Sequence, residues 1–268
     1  QGVSSAASDV YKRQVQRWRC HCAYDGTDYA GWQKQPTGDA VQDRIEDALK
    51  KICHIPVRTI GAGRTDAGVH AREQVFHFDH DWMHGEEKLL QALRAHLPSD
   101  ISPRLLRETD HSFHALRSAR GKCYRYRAVK GWAMPEEERF CLSLKRQEYD
   151  LKSMREGAKF LVGRHDFSAF AASRGKGEKE DPVKEVWRCE VIQRENEIQF
   201  VVEGSGFLYK MVRSIVGGLL EVGRGRIGVQ KIQDILQSCQ RTEVVVSAPA
   251  KGLCLEKVYY TDPDGQSE

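Results

Sequence analysis

The chain has 268 residues, 42 Lys and Arg against 38 Asp and Glu, a net charge of +4, and 40% hydrophobic residues. That length can bury the core of one large or two modest domains. No apolar run approaches the roughly 18 residues of a membrane helix, and a charge this close to balance leaves any attraction for polyanions to a local patch.

Residues 1–14 are polar and aperiodic, begin without Met, and read as a leader outside the fold. Arg17 to Tyr24 then alternates like a strand, and Val41 to Cys53 carries apolar residues at Val41, Ile45, Ala48, Leu49 and Ile52, a helical stripe. Val57 to Ile60 is a short strand entering a Gly-rich turn, and Gln74 to Phe78 is the strand leaving it. Glu86 to His96 is a second helix, stopped by Pro98. A connecting stretch through Pro103 leads to the strand Lys122 to Lys130. Further helices are expected over Leu151 to Val162, Phe207 to Val222 and Val229 to Ser238, with a hairpin of Val186 to Gln193 and Ile198 to Glu203 around Glu195-Asn196, and a last strand over Leu253 to Tyr260. Such β-α-β units with hairpins suit an α+β protein whose helices cover one face of a mostly antiparallel sheet.

Eight cysteines are scattered without a Cys-x-x-Cys pair. This spacing argues for buried or idle thiols in a reducing cytoplasm and against a metal centre. Charge is more informative locally. Arg117, Arg120, Lys122, Arg125, Arg127 and Lys130 follow one another with no acid between them. Such a stripe is either a solvated face or an attractor for a polyanion.

The densest signal is Gly61-Ala62-Gly63-Arg64-Thr65-Asp66-Ala67-Gly68-Val69-His70. Small residues let the backbone turn sharply and let a ligand approach closely. A guanidinium two positions away would hold Asp66 ionised. On these residues alone Asp66 is either a reactive carboxylate or the cap of a turn.

The string Gly-Arg-Thr-Asp-Ala-Gly-Val-His resembles the signature of tRNA pseudouridine synthases of the TruA type. Three more stretches share the likeness: Tyr24-Asp25-Gly26-Thr27-Asp28-Tyr29-Ala30-Gly31-Trp32-Gln33, Ser112-Phe113-His114-Ala115 with Tyr124-Arg125-Tyr126, and Gly204-Ser205-Gly206-Phe207 through Met211-Val212-Arg213. Together they span roughly Trp18 to Asp262. The resemblance implies a pseudouridine synthase fold of two related ferredoxin-like halves on one extended, mostly antiparallel sheet, with a basic cleft between them. The boundary is expected near Glu108 to Ser112, giving halves of 15–110 and 111–262 and a tail of 263–268.

It further implies that Asp66 is catalytic, that Tyr124 sits against the target uracil, and that Arg213 reaches the Asp66 carboxylate with Arg64 beside it. The implied substrate is the anticodon stem-loop of tRNA, at positions 38 to 40, handled by a cytoplasmic homodimer. The implied reaction breaks the N1–C1′ bond of uridine and forms a C5–C1′ bond. It involves no redox change, so no cofactor is expected. Two other readings are a tRNA-binding protein without catalysis and an Asp-nucleophile hydrolase. The first gains nothing from an acid facing phosphates, and the second normally needs a second carboxylate or a metal-binding acidic pair. The charged loop of Ser173 to Glu185 matches no feature of the resemblance.

Overall fold

A computed structural model describes residues 15–173 and 180–260. The expected leader, the tail and residues 174–179 of the charged loop lie outside the described residues. In chain order the elements are β1 (Gln16–Tyr24), α1 (Val41–Cys53), β2 (Ile60–Gly61), β3 (His70–His80), α2 (Gly85–His96), β4 (Ile101–Thr109), β5 (Gly121–Val129) and β6 (Leu142–Ser143). There follow α3 (Leu151–Lys159), β7 (Gly163–Asp166), β8 (Val183–Arg194), β9 (Glu197–Gly204), α4 (Met211–Gly223), α5 (Gln230–Ser238) and β10 (Leu253–Tyr259).

One sheet runs through the molecule in the order β4-β1-β3-β10-β5-β9-β8-β7, with β2 on β3 and β6 on β5. The topology repeats. β1-α1-β2-β3-α2-β4 places its strands as β4-β1-β3-β2, and β5-α3-β8-β9-α4-β10 places its own as β10-β5-β9-β8. Each is the β-α-β-β-α-β order of a ferredoxin-like unit. The fold is therefore α+β with a mostly antiparallel sheet, as the sequence implies.

The join between the two units shapes everything that follows. β10 pairs in parallel with the start of β3, at His70 and Ala71, and antiparallel with β5. On the same edge of β3, β2 holds only the far end, Ile60 opposite His77 and Gly61 opposite Phe76. The strand expected from Val57 pairs at only two residues; just before them the Thr59 amide donates to Glu46 and its carbonyl accepts from Gln42, both on α1, instead of pairing with β3. Between the two pairings the chain of residues 62–69 leaves the sheet, at the seam between the units.

Alternation along the strands divides the sheet into two faces. In β1, Trp18, Cys20, Cys22 and Tyr24 are buried while Arg17, Arg19 and His21 are less so. Against the buried face α1 lays Val41, Ile45, Ala48 and Leu49, its apolar stripe. The N-terminus of α1 is closed by the Asp43 carboxylate, which accepts the Ala40 amide at 3.1 Å. Asp150 caps α3 by accepting the Lys152 amide at 2.9 Å.

Three expectations are corrected. The stretch through Pro103 is a strand, β4. Among the described residues it lies at the sheet's edge, paired only with β1, where a residue without an N–H is tolerated. The helix expected from Phe207 starts at Met211, because Lys210 takes a left-handed conformation (φ 59°) that breaks the helical path. The helix expected to reach Val162 stops at Lys159.

Candidate active site

The turn carrying Asp66 is held from below by the Tyr24–Gln33 segment. Tyr24 Oη and Thr65 Oγ1 lie 2.8 Å apart, the Trp32 amide donates to the Thr65 carbonyl at 3.2 Å, and the Gly68 amide donates to the Tyr29 carbonyl at 3.3 Å. The rings of Tyr24 and Trp32 stack at 6.0 Å beneath it. Gly31 is required here. Its φ is +96°, and a Cβ would come within 2.4 Å of the Thr65 carbonyl oxygen. Within the turn the Val69 amide donates to the Asp66 carbonyl at 3.1 Å, so the carboxylate projects from a backbone fixed on both sides. The aromatic loop of residues 24–33 is the support of this turn.

From the other unit comes Arg213, in the first turn of α4. Its Nη1 donates to Asp66 Oδ2 at 3.0 Å and its Nε to the Ala248 carbonyl at 2.8 Å. Both side chains of the pair are mostly buried, with 14% and 16% exposed. The guanidinium fork thus fixes one carboxylate and one carbonyl at once. The segment before β10 holds the start of α4 in turn: the Ala248 amide donates to the Arg213 carbonyl at 2.9 Å, and Arg241 reaches Ser214 Oγ and the Val245 carbonyl. Contact is so close that a Cβ on Gly217 would fall 1.8 Å from the Val246 oxygen.

Tyr124, on β5, is 7% exposed and meets Phe207 edge-on, centroids 5.4 Å apart at 84°. Burial, with the Asp66 charge adding to it, pushes its hydroxyl pKa above the usual tyrosine range. Asp66, Tyr124, Arg213 and Phe207 line a small pocket of about 50 Å³. A larger chamber of about 770 Å³ adjoins it, lined among others by Gln33, Leu116, Lys122 and Glu180. Arg64, Tyr124 and Phe207 belong to both and form the threshold between them.

Two readings of the sequence change at this point. Arg64 does not join Arg213 on the carboxylate; its Nε donates to Gln33 Oε1 at 3.2 Å. Two-residue spacing puts side chains together on a strand, and residues 64–66 lie in the irregular segment between β2 and β3. The basic stripe also divides. Lys122 and Tyr124 share the covered face of β5, whereas Arg125 and Arg127 point to the opposite face. There Arg125 pairs with Glu256 at 3.0 Å, and Arg127 pairs with Glu197 at 2.7 Å and Glu137 at 3.3 Å. Tyr24 and Gln33, which hold Thr65 and Arg64, are contributors that spacing alone does not single out.

Comparison with known proteins agrees with this arrangement. The chain matches the sequence model of the tRNA pseudouridine synthase family over residues 22–116 and 158–261. It is 39% identical over 250 residues to tRNA pseudouridine synthase A of Exiguobacterium sp., covering 93% of this chain and 100% of that one. The Chlamydia muridarum protein of the same name is 40% identical over 245 residues, covering 90% and 91%. That of Geobacillus kaustophilus is 40% identical over 257 residues, covering 92% and 96%. A carboxylate and a guanidinium brought together from two repeated units thus lie in a chain that belongs to the TruA-type tRNA pseudouridine synthase family.

Proposed function

We propose that this protein, an isomerase of the tRNA pseudouridine synthase class, converts uridine to pseudouridine in the anticodon stem-loop of tRNA, at positions 38 to 40, with Asp66 as its catalytic residue. The observation that carries this reading is the Asp66–Arg213 pair at 3.0 Å beside Tyr124, in a small pocket that adjoins a larger chamber. In the reaction the N1–C1′ bond breaks, the uracil turns, C5 bonds to C1′, and the C5 proton leaves while N1 gains one. A carboxylate serves this isomerisation by attacking C1′ or C6, or by taking a ribose proton. Arg213 keeps the Asp66 carboxylate aimed. Tyr124 offers a ring face and a neutral hydroxyl to the detached uracil. Arg64, at the threshold and one hydrogen bond from Gln33, is placed to touch the nucleotide as it enters.

The pocket at Asp66 holds only a few water-sized volumes, so the base reaches Asp66 only when flipped from its stack, at a cost of a few kcal/mol. We read the working protein as a cytoplasmic homodimer whose cleft takes the anticodon arm. The test is tritium release from tRNA transcripts carrying [5-³H]uridine. Forming C5–C1′ must expel the label, so the parent releases it and Asp66→Asn does not, while tRNA affinity stays within a few-fold. Release by the variant at the parent's rate overturns the assignment of Asp66.

A further inference from the structure

Lys122 has no role in the reading above, and its surroundings are unusual for a lysine. Its stem lies against the backbone of Gly63, one residue before Arg64: a Cβ built on Gly63 would be 2.9 Å from Lys122 Cε. The Gly63 carbonyl is itself held by Gln74 Nε2 at 2.9 Å, so the surface under the lysine is fixed. Across the strands its neighbours are Gly204 and Val258, which offer no side-chain acceptor. Lys122 is largely buried, and burial lowers its pKa; Lys184 adds to the lowering and Glu180 opposes it. Among the described residues it makes neither a hydrogen bond nor an ion pair. The other cations of the cleft are engaged, Arg213 by Asp66, Arg64 by Gln33 and Lys210 over the Tyr209 ring.

Glu180 lines the same chamber and acts on Lys122 only at a distance; a desolvated ammonium so weakly compensated is costly to keep, and an arriving anion offsets that cost. Position identifies the anion. Lys122 lines the larger chamber and not the Asp66 pocket, whereas Asp66 lines its own pocket and not the larger chamber. A uridine whose base is held at Asp66, beyond the shared Arg64, Tyr124 and Phe207, leaves its sugar–phosphate chain in the adjoining chamber, beside Lys122. We propose that Lys122 receives a backbone phosphate of the RNA strand whose uridine is held at Asp66 and Tyr124. The inference rests on the assignment of that pocket to the target uridine.

The test pairs protein variants with a methylphosphonate walk along an anticodon-arm RNA, each substitution removing the charge of one phosphate. Affinity is measured against salt for the parent, Lys122→Met and Lys122→Arg, and tritium release by the parent on the same RNA checks the pocket assignment separately. Lys122→Met is expected to lower the slope of log affinity against log salt by about 0.7 to 0.9, one phosphate contact, and Lys122→Arg to keep it. One methylphosphonate near the target that weakens the parent at least 5-fold is expected to leave Lys122→Met unaffected. Methionine matches the stem and removes the buried charge; Lys122→Gln replaces it should the Met variant melt below the assay temperature. The proposal is overturned if the slope is unchanged and every methylphosphonate acts equally on parent and variant. It is also overturned if the variant binds like the parent yet releases no tritium at saturating RNA, which would make Lys122 a proton-transfer group. If the parent itself releases no tritium, the pocket assignment has failed instead.

Discussion

Replacing Arg213 by lysine keeps the charge and removes the fork. The guanidinium serves two acceptors from one rigid plane, Asp66 Oδ2 at 3.0 Å and the Ala248 carbonyl at 2.8 Å. A single ammonium on a flexible stem cannot hold both directions. One acceptor in a mostly buried setting then loses its partner, which costs about 1–3 kcal/mol. At about 2–4 °C per kcal/mol for a domain of this size, the melting temperature is expected to fall by roughly 2–12 °C. The effect on turnover has a separate origin. An Asp66 carboxylate displaced by about 1 Å loses about 10²-fold in rate, which is about 2.7 kcal/mol of transition-state stabilisation. Tritium-release kinetics should therefore show kcat down about 100-fold with KM within a few-fold, because the nucleotide still meets Tyr124 and Arg64. An Arg213→Lys enzyme with the parent's kcat, or one whose loss lies wholly in KM, would refute the claim that the fork positions Asp66. In a cycle of Asp66→Asn, Arg213→Met and the double variant, the double is expected to be more stable than the sum of the singles predicts, since it strands no charge.

Gly217→Ala drives a Cβ to within 1.8 Å of the Val246 oxygen; it should cost about 1–3 kcal/mol or more, seen as a lower denaturant midpoint, and an unchanged midpoint would mean that α4 and the 245–248 segment are not in backbone contact. Arg125→Glu with Arg127→Glu removes the pairs to Glu256 and Glu197 on the face away from the cleft. This variant should melt lower yet keep the parent's salt dependence of tRNA binding; a flattened slope would place RNA on that face. His77 is 3% exposed, its Nδ1 accepts the Ala115 amide at 3.1 Å, and burial, then Arg17 and His114, push its pKa down to about 4. Since the unfolded chain takes that proton near 6.5, the contribution is present above pH 6.5 and is lost as pH falls through about 4. Denaturant titrations between pH 7.5 and 4.5 should show His77→Gln losing less stability than the parent over this interval, and equal losses would exclude His77 from the acid response.

Much of the architecture is legible because it rests on short-range patterns. The alternation of Trp18, Cys20, Cys22 and Tyr24 and the stripe of Val41, Ile45, Ala48 and Leu49 mark β1 and α1 nearly to the residue. β4 is missed because half of its residues face solvent at an edge and one is Pro103, so neither composition nor alternation marks it. The start of α4 is misplaced because apolar periodicity through Phe207 and Met211 says nothing of the left-handed Lys210 between them. At the candidate site, the Asp66 turn announces itself by its glycines, and Arg213 enters through the family resemblance. What no pattern carries is the direction of a charged side chain. The alternation of Tyr124, Arg125, Tyr126 and Arg127 already separates two faces, yet which face meets the cleft depends on where β10 and the helices lie. Arg64 is the same case in the irregular segment between β2 and β3, where sequence spacing no longer fixes sidedness.

The placement of β10 also sets an order of events during synthesis. Its residues, Leu253–Tyr259, leave the ribosome after every other described element, yet they occupy the seam between the first unit and the second. Until then the start of β3 has an open edge at His70 and Ala71, within a few residues of Asp66, and open edges invite pairing with other chains. Ala248, which anchors Arg213, lies five residues before that strand. A nascent chain therefore carries the aspartate for most of its translation without the Ala248–Arg213 frame, and if Asp66 is the catalytic residue proposed above, tritium release should await closure of the seam by the final strand. Truncation ahead of Leu253 would leave an acid on a loop beside an unpaired edge, a species prone to clump and unable to react.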